Sequence, residues 1–328
     1  MTGQSQSGAD ARPVIGLIGA GDMGAAIATS VLRHLPLMAF DVRPEPVQEL
    51  VGKGATAADS LVALADQCDI ALIVVVNDAQ VKSIVSELFR HKGRLRSIVV
   101  SATILPKTMV DLKEEADRLG LDLIDAPVSG GAEKASRGTI TVLIGGDEDA
   151  VQRAWPLFES FGGNIFHLGP IGAGSAGKLV NNLLSMGGNI LLLEAMQLAG
   201  CYGISEDRVT EFVSVSAGGS RGLNTWGRVD RARGIYSRMG DGVYELFAKD
   251  VKSAAIAAGH TGATLPVASV IGALMGERMK ARDAQIAARG GLPDIPRCKV
   301  CGQELALPFR KAGAHVECLA MDADKANW

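Results

Sequence analysis

Aromatic residues are scarce in this chain, at 4% of 328 residues, which argues against the stacking platforms that bind single-stranded nucleic acid. Neither sign of charge dominates: 33 Lys and Arg stand against 36 Asp and Glu, a net charge of −3. That balance offers no long-range pull toward nucleic acid or anionic membrane, so neither partner is expected. No apolar run reaches the ~18 residues that a membrane span needs. The polar start, MTGQSQSGADARP, lacks the apolar centre of a secretory signal. Residues 1–12 therefore read as a disordered leader, and a cytoplasmic location is expected. Cysteine is rare as well. The five present are too few and too uneven for a disulfide framework, with Cys68 and Cys201 alone and Cys298, Cys301 and Cys318 within the last 31 residues.

What is present is an apolar chain, 47% hydrophobic with 40 glycines, long enough for two domains at about 150 residues each. Apolar runs at residues 14–19, 37–40, 69–76, 97–100 and 121–126 predict buried strands, and helical patterns such as 25–34 and 81–90 lie between them. Strand and helix alternating at this spacing give βαβ units and a mainly parallel sheet. TITVLIGG at 139–146 and NIFHLG at 164–169 flank a helix-like 148–160, so the sheet is expected to close near Gly169. Residues 172–177 read as a glycine-rich hinge, and 178–199 as one long helix, apolar nearly all round and so a core helix. No strand pattern follows, and 204–288 reads as helical. The expected organisation is a doubly wound α/β domain at 13–171, an all-α domain at 172–290 and a small Cys/His tail at 291–328.

The first strand runs directly into Gly19-Ala-Gly21-Asp22-Met23-Gly24, which opens a helix. A GxGxxG in that context points to a Rossmann-type dinucleotide site: Gly19 for the tight turn, Gly21 for close approach of a pyrophosphate, Gly24 for helix-on-strand packing. The pyrophosphate would rest on the free N–H groups of the helix start. Asp41 closes the second strand 22 residues after Gly19, where a carboxylate accepts from a ribose diol and repels a 2′-phosphate. It favours NAD. Arg43, two residues on, could grip such a phosphate, so NADP stays open.

Four motifs together resemble the β-hydroxyacid dehydrogenases, the family of 3-hydroxyisobutyrate dehydrogenase and tartronate semialdehyde reductase. They are GLIGAGDMG at 16–24, DAPVSGG at 125–131, GAGSAGKLVNN at 172–182 and the Lys249-Asp250 pair, in that order along the chain. The resemblance implies a Rossmann-type domain, a helical domain and an active site in the cleft between them. It further implies that Ser129, Gly130 and Gly131 hold the substrate carboxylate, that Lys178 is the catalytic acid/base and that Asn182 orients the reacting oxygen. On the cofactor side it implies that Thr103 lies by the nicotinamide or its ribose, that Val76 and Asn77 lie beside the adenosine ribose, and that Lys249 reaches the cofactor from the helical domain.

The residue types suit that chemistry on their own account. Hydride transfer to a carbonyl builds negative charge on oxygen, and a partly desolvated lysine can supply the proton. Lys178 and Asn182 are four apart, so they share a helix face and can address one oxygen. Ser129 with two uncovered glycine backbones has the makings of a carboxylate nest. Ser185 stands where the related 6-phosphogluconate dehydrogenases carry a second acid, which argues against decarboxylation. The family's aromatic seven residues before Lys249 is Gly242 here. Arg137, Arg221 and Trp226 are unplaced candidates for the substrate pocket.

The expected function is thus NAD-dependent interconversion of a small β-hydroxyacid and its semialdehyde or oxo form. A reductase of a larger or differently charged carbonyl acid is the enzymic alternative. A non-catalytic NAD-binding protein with a partner-docking tail is the other; Lys178 and Asn182 argue against it. The apolar helix at 178–199 predicts at least a homodimer through the helical domain. In the tail, Cys298-Lys-Val-Cys301-Gly302 and His315-Val-Glu-Cys318 have the pair spacing of a closed Cys3His zinc knuckle, so a structural zinc is expected.

Overall fold

The computed structural model describes residues 12–227, 230, 231 and 242–291, with nothing described of the side chains of residues 242, 243 and 246. Most of the leader and the Cys/His tail, with Cys298, Cys301, His315 and Cys318, lie outside the described residues. Two compact units divide the chain: one runs through Val180 and takes in Ile256–Ala263, and the other holds the remaining described residues.

The first unit is built on the apolar runs. Strands β1 (Ile15–Ile18), β4 (Ile70–Ile73) and β5 (Ser97–Val100) are buried at every position, as central parallel strands covered on both faces must be. With β2 (Leu37–Phe40), β3 (Thr56–Ala57), β6 (Asp122–Asp125), β7 (Val128–Ser129) and β8 (Ile140–Gly145) they form a sheet of order β3-β2-β1-β4-β5-β6-β8-β7. Strand β9 (Gly162–Gly169) pairs with β8 in parallel, while β6 and β7 meet β8 antiparallel. Side chains alternate between two cores. Ile15 and Leu17 go to one face with Ile27, Leu50 and Phe158, and Ile18 goes to the other with Leu64, Val85 and Met109. Chain order reverses between β1, bonded to β2, and β4, and in sheets of this kind ligands bind outside the strand ends at such a point.

Helices α1 (Asp22–Val31), α2 (Pro44–Val51), α3 (Leu61–Gln67), α4 (Asp78–Arg90), α5 (Pro106–Arg118), α6 (Ala132–Ser136) and α7 (Glu148–Glu159) connect the strands. The two-residue strands β3 and β7 are not predicted, since two residues carry no periodicity. Helix α8 starts at Ala173 and runs to Asn182, so the predicted hinge at 172–177 is helical from its second residue. The glycines there serve packing. A Cβ at Gly174 would collide with the Leu143 carbonyl oxygen and stand 2.7 Å from that of Asp125.

A π-helical turn (Leu183–Gly187) joins α8 to α9 (Gly188–Cys201), followed by α10 (Glu206–Ser214), α11 (Arg221–Asn224), α12 (Gly242–His260) and α13 (Pro266–Ala288). No strand occurs among the described residues of this second unit. Its main core joins Ile190, Val251, Ile271, Met275 and Met279. The long helix corrects the sequence reading twice. The continuous stretch Ala173–Cys201 is long and apolar enough to cross a membrane by length and composition, where the sequence reading expected no such run. Nor is it a core helix within this chain, because only 22% of its apolar segment is buried and Leu184, Leu191 and Leu198 are exposed.

An ion cluster fastens the second unit. Arg282, 6% exposed, donates to both oxygens of Glu206 at 2.6 and 3.0 Å and to Asp230 at 3.2 Å. Trp226 Nε1 and Arg289 also donate to Glu206. Burial alone would push the Glu206 carboxyl up, but these donors hold it down at about 2.

Candidate active site

The glycine turn stands at the reversal point. Gly19 follows β1 with φ of 98°, and a Cβ there would run into the Val74 carbonyl oxygen, so only glycine fits the turn. A Cβ at Gly24 would overlap the carbonyl oxygen of Gly19. Gly21 differs: a Cβ there would meet nothing nearer than the Arg43 guanidinium at 4.0 Å. The backbone at the start of α1 is therefore open to a ligand, as a pyrophosphate cradle requires. Asp22 begins α1 and is exposed, while Met23 packs against the core beneath.

Asp41 follows β2 and accepts from Ala20 N–H at 2.7 Å through Oδ2, and from Arg43 N–H at 2.9 Å through Oδ1. Arg43 Nε lies 3.4 Å from the same Oδ1. On the far side of the reversal point, Asn77 caps α4 by accepting from Gln80 N–H, and Val76 N–H donates to the Gln80 side chain. Thr103 sits half-buried between β5 and α5. Its loop is held by Ser101 Oγ donating to the Ala126 carbonyl and by Leu105 N–H donating to Asp78.

Residues 125–131 run from the end of β6 through β7 to the start of α6. Ser129 ends β7, and Gly130 and Gly131 have φ of 143° and 88°, a backbone that L side chains rarely adopt. Asp125, the last residue of β6, is fully buried. Its Oδ1 accepts from Gly172 N–H at 2.7 Å and its Oδ2 from Ser175 N–H at 2.5 Å, so the strand grips the first turn of α8. Lys178 lies half-buried one turn further along that helix.

In the second unit Asn182 is buried and its Nδ2 donates to Asp250 Oδ2 at 2.6 Å. Its Oδ1 accepts from Asn181 at 3.0 Å. Lys249 Nζ lies 3.5 Å from Asp250 Oδ1, which makes no hydrogen bond among the described residues. The structure thus brings Lys249, Asp250 and Asn182 together. Two of the pocket candidates have partners of their own: Arg137 pairs with Glu133, and Trp226 Nε1 donates to Glu206. Asp125 and Asp250 carry roles that the sequence reading did not give them. The available signal was an acid ending an otherwise apolar strand run, LIDAPV, and an acid next to a motif lysine.

Residues 14–169 match the family described as the NAD binding domain of 6-phosphogluconate dehydrogenase, and residues 172–288 match the one described as NAD-binding of NADP-dependent 3-hydroxyisobutyrate dehydrogenase. An NAD-dependent L-serine dehydrogenase of Pseudomonas aeruginosa is 34% identical over 264 residues, 78% of this chain and 89% of that protein. The chain belongs to the β-hydroxyacid dehydrogenase family. An L-threonate dehydrogenase of Cupriavidus necator is 31% identical over 78% of this chain and 86% of its own. A crystal structure titled 3-hydroxyisobutyrate dehydrogenase, from Salmonella typhimurium, superposes with a TM-score of 0.65 at 28% identity, covering 91% of this chain and 99% of that one. As a β-hydroxyacid dehydrogenase the protein is an NAD(P)-dependent enzyme acting on CH–OH groups. The open cradle at Gly21 and the carboxylate of Asp41 fit such a cofactor.

Proposed function

We propose that this β-hydroxyacid dehydrogenase interconverts a small β-hydroxyacid and its semialdehyde or oxo form, with NAD preferred over NADP. One observation carries the reading: the glycine cradle, the 125–131 segment and Lys178 belong to one folded unit, and Asp125 bonds that segment to the first turn of the lysine helix. The names of the relatives, L-serine, L-threonate and 3-hydroxyisobutyrate dehydrogenases, support small hydroxyacids as the substrate class.

In this reading a nicotinamide held by these residues would supply the hydride chemistry at the carbon that bears the reacting oxygen. Ser129 and the backbone N–H groups of Gly130 and Gly131 hold the carboxylate. Lys178 holds the proton for the reacting oxygen, giving it up in reduction and taking it in oxidation. Asn182 orients that oxygen, and Asp250 fixes the Asn182 amide. Thr103, Val76, Asn77 and Lys249 serve the cofactor. Following NADH absorbance against a panel of small semialdehydes and hydroxyacids tests the reading. Turnover with a carboxylate-bearing member is expected, and an inert panel would refute it.

Two further parts complete the proposal. A second copy of the chain covers the exposed Leu184, Leu191, Leu198, Val267 and Val270 of the helical unit. On spacing alone, Cys298, Cys301, His315 and Cys318 hold a structural zinc outside the described residues.

A further inference from the structure

We propose that Asp125 is a positioning residue for Lys178: it locks the first turn of α8 to the strand end that leads into residues 129–131, and so fixes the lysine relative to the substrate carboxylate. The inference rests on the function proposed above.

The first N–H groups of a helix have no acceptor within it, and a side chain at the helix's own N-cap usually serves them. Gly172, just before α8, has no side chain to do so. The acceptor comes instead from a strand, 47 residues away from Gly172 and 50 from Ser175 in sequence. Both carboxylate oxygens are engaged, one on each N–H, which fixes the rotation of the turn as well as its distance from the sheet. No cation pairs with Asp125 among the described residues; its charge faces the positive end of the helix. Burial pushes its carboxyl above the ordinary range despite the N–H donors. A buried carboxylate without a cation is a costly way to fill space. Packing alone gives no reason for a charge here.

The surroundings leave the turn no slack. A Cβ at Gly145 would stand 2.6 Å from Asp125 Oδ1, 2.7 Å from Gly174 N and 2.8 Å from Ala173 N. Backbone therefore meets backbone, with no flexible side chain between to absorb a shift. Lys178 follows Ser175 by three residues along the helix, and Ser129 follows Asp125 by four along a segment paired to β8. A proton donor must stand within hydrogen-bond reach of the reacting oxygen, and a misplacement of about 1 Å costs on the order of 100-fold in rate.

The test uses the full chain carrying Asp125→Asn, which keeps the shape but turns one acceptor into a donor facing an N–H. With the best substrate of the panel, kcat is expected to fall about 100-fold while the KM for NADH stays within about twofold. The deuterium isotope effect with labelled NADH should rise as hydride transfer becomes limiting. Gly174→Ala is the second variant. It leaves the carboxylate intact but pushes the turn off the Leu143 and Asp125 carbonyls, and the same split is expected. Asp125→Asn with kcat within about threefold of wild type overturns the proposal. So does loss of NADH binding in both variants, which would make the contact a folding element. An inert wild type, or Lys178→Ala at full kcat, would instead refute the function itself.

Discussion

Asp41 accepts the backbone N–H of Ala20 at 2.7 Å, which ties the end of β2 to the glycine turn after β1. The carboxylate expected to read the adenosine ribose is thus also a brace of the turn. Oδ1 takes both Arg43 donors, but Oδ2 keeps a second lone pair beside the Ala20 N–H, so bracing and ribose binding are compatible. Wild type is expected to favour NADH. Asp41→Ser should raise the KM for NADH and shift preference toward NADPH, with the Arg43 guanidinium already beside Gly21 as the phosphate partner. Steady-state kinetics with both cofactors checks this. A wild type that prefers NADPH would show that Arg43 already dominates.

Acid should weaken the ion cluster of the helical unit. Glu206 titrates at about 2 in the folded chain against 4.5 for the free side chain, so the folded state favours its ionised form. The stabilisation is present above about 4.5 and is lost as pH falls from there toward 2. It amounts to a few kcal/mol at most, an order-of-magnitude figure from the size of the shift. Glu206→Gln should therefore lower the melting temperature at pH 7 but hardly change it near pH 2. Calorimetry across that range would expose the error if the variant lost equal stability at both ends.

The exposed leucines of the long helix bear on assembly. Leu184, at 73% exposure, and Leu198, at 63%, belong to a unit whose own core leaves them outside. Sedimentation at micromolar concentration should find at least twice the 34.1 kDa chain mass. A 34.1 kDa species under those conditions contradicts the second-copy proposal.

Much of this was legible in the residues. The central strands could be read because burial on both faces leaves only apolar runs such as IALI and SIVV. Gly19 and Gly24 could be read because a turn and a close packing each require a missing side chain. Gly174 misled for the same reason. A glycine inside a helix costs about 1 kcal/mol relative to alanine, so a run of them looks like a hinge until the Leu143 carbonyl is seen against the turn. The roles of Asp125 and Asp250 depend on partners 47 to 68 residues away, which no local pattern records. The long helix looked like core because apolarity tells what a face avoids and not what covers it.

Lys178→Ala tests the central claim most directly. Lysine acts on charge that develops only as the hydride moves, so its removal should cost several orders of magnitude in kcat while NADH affinity hardly changes. The measurement is turnover on the best substrate of the panel, paired with an NADH titration of the same preparation. Loss of turnover with cofactor binding retained is the predicted result. A variant that keeps most of its kcat would contradict a lysine acid/base in this enzyme.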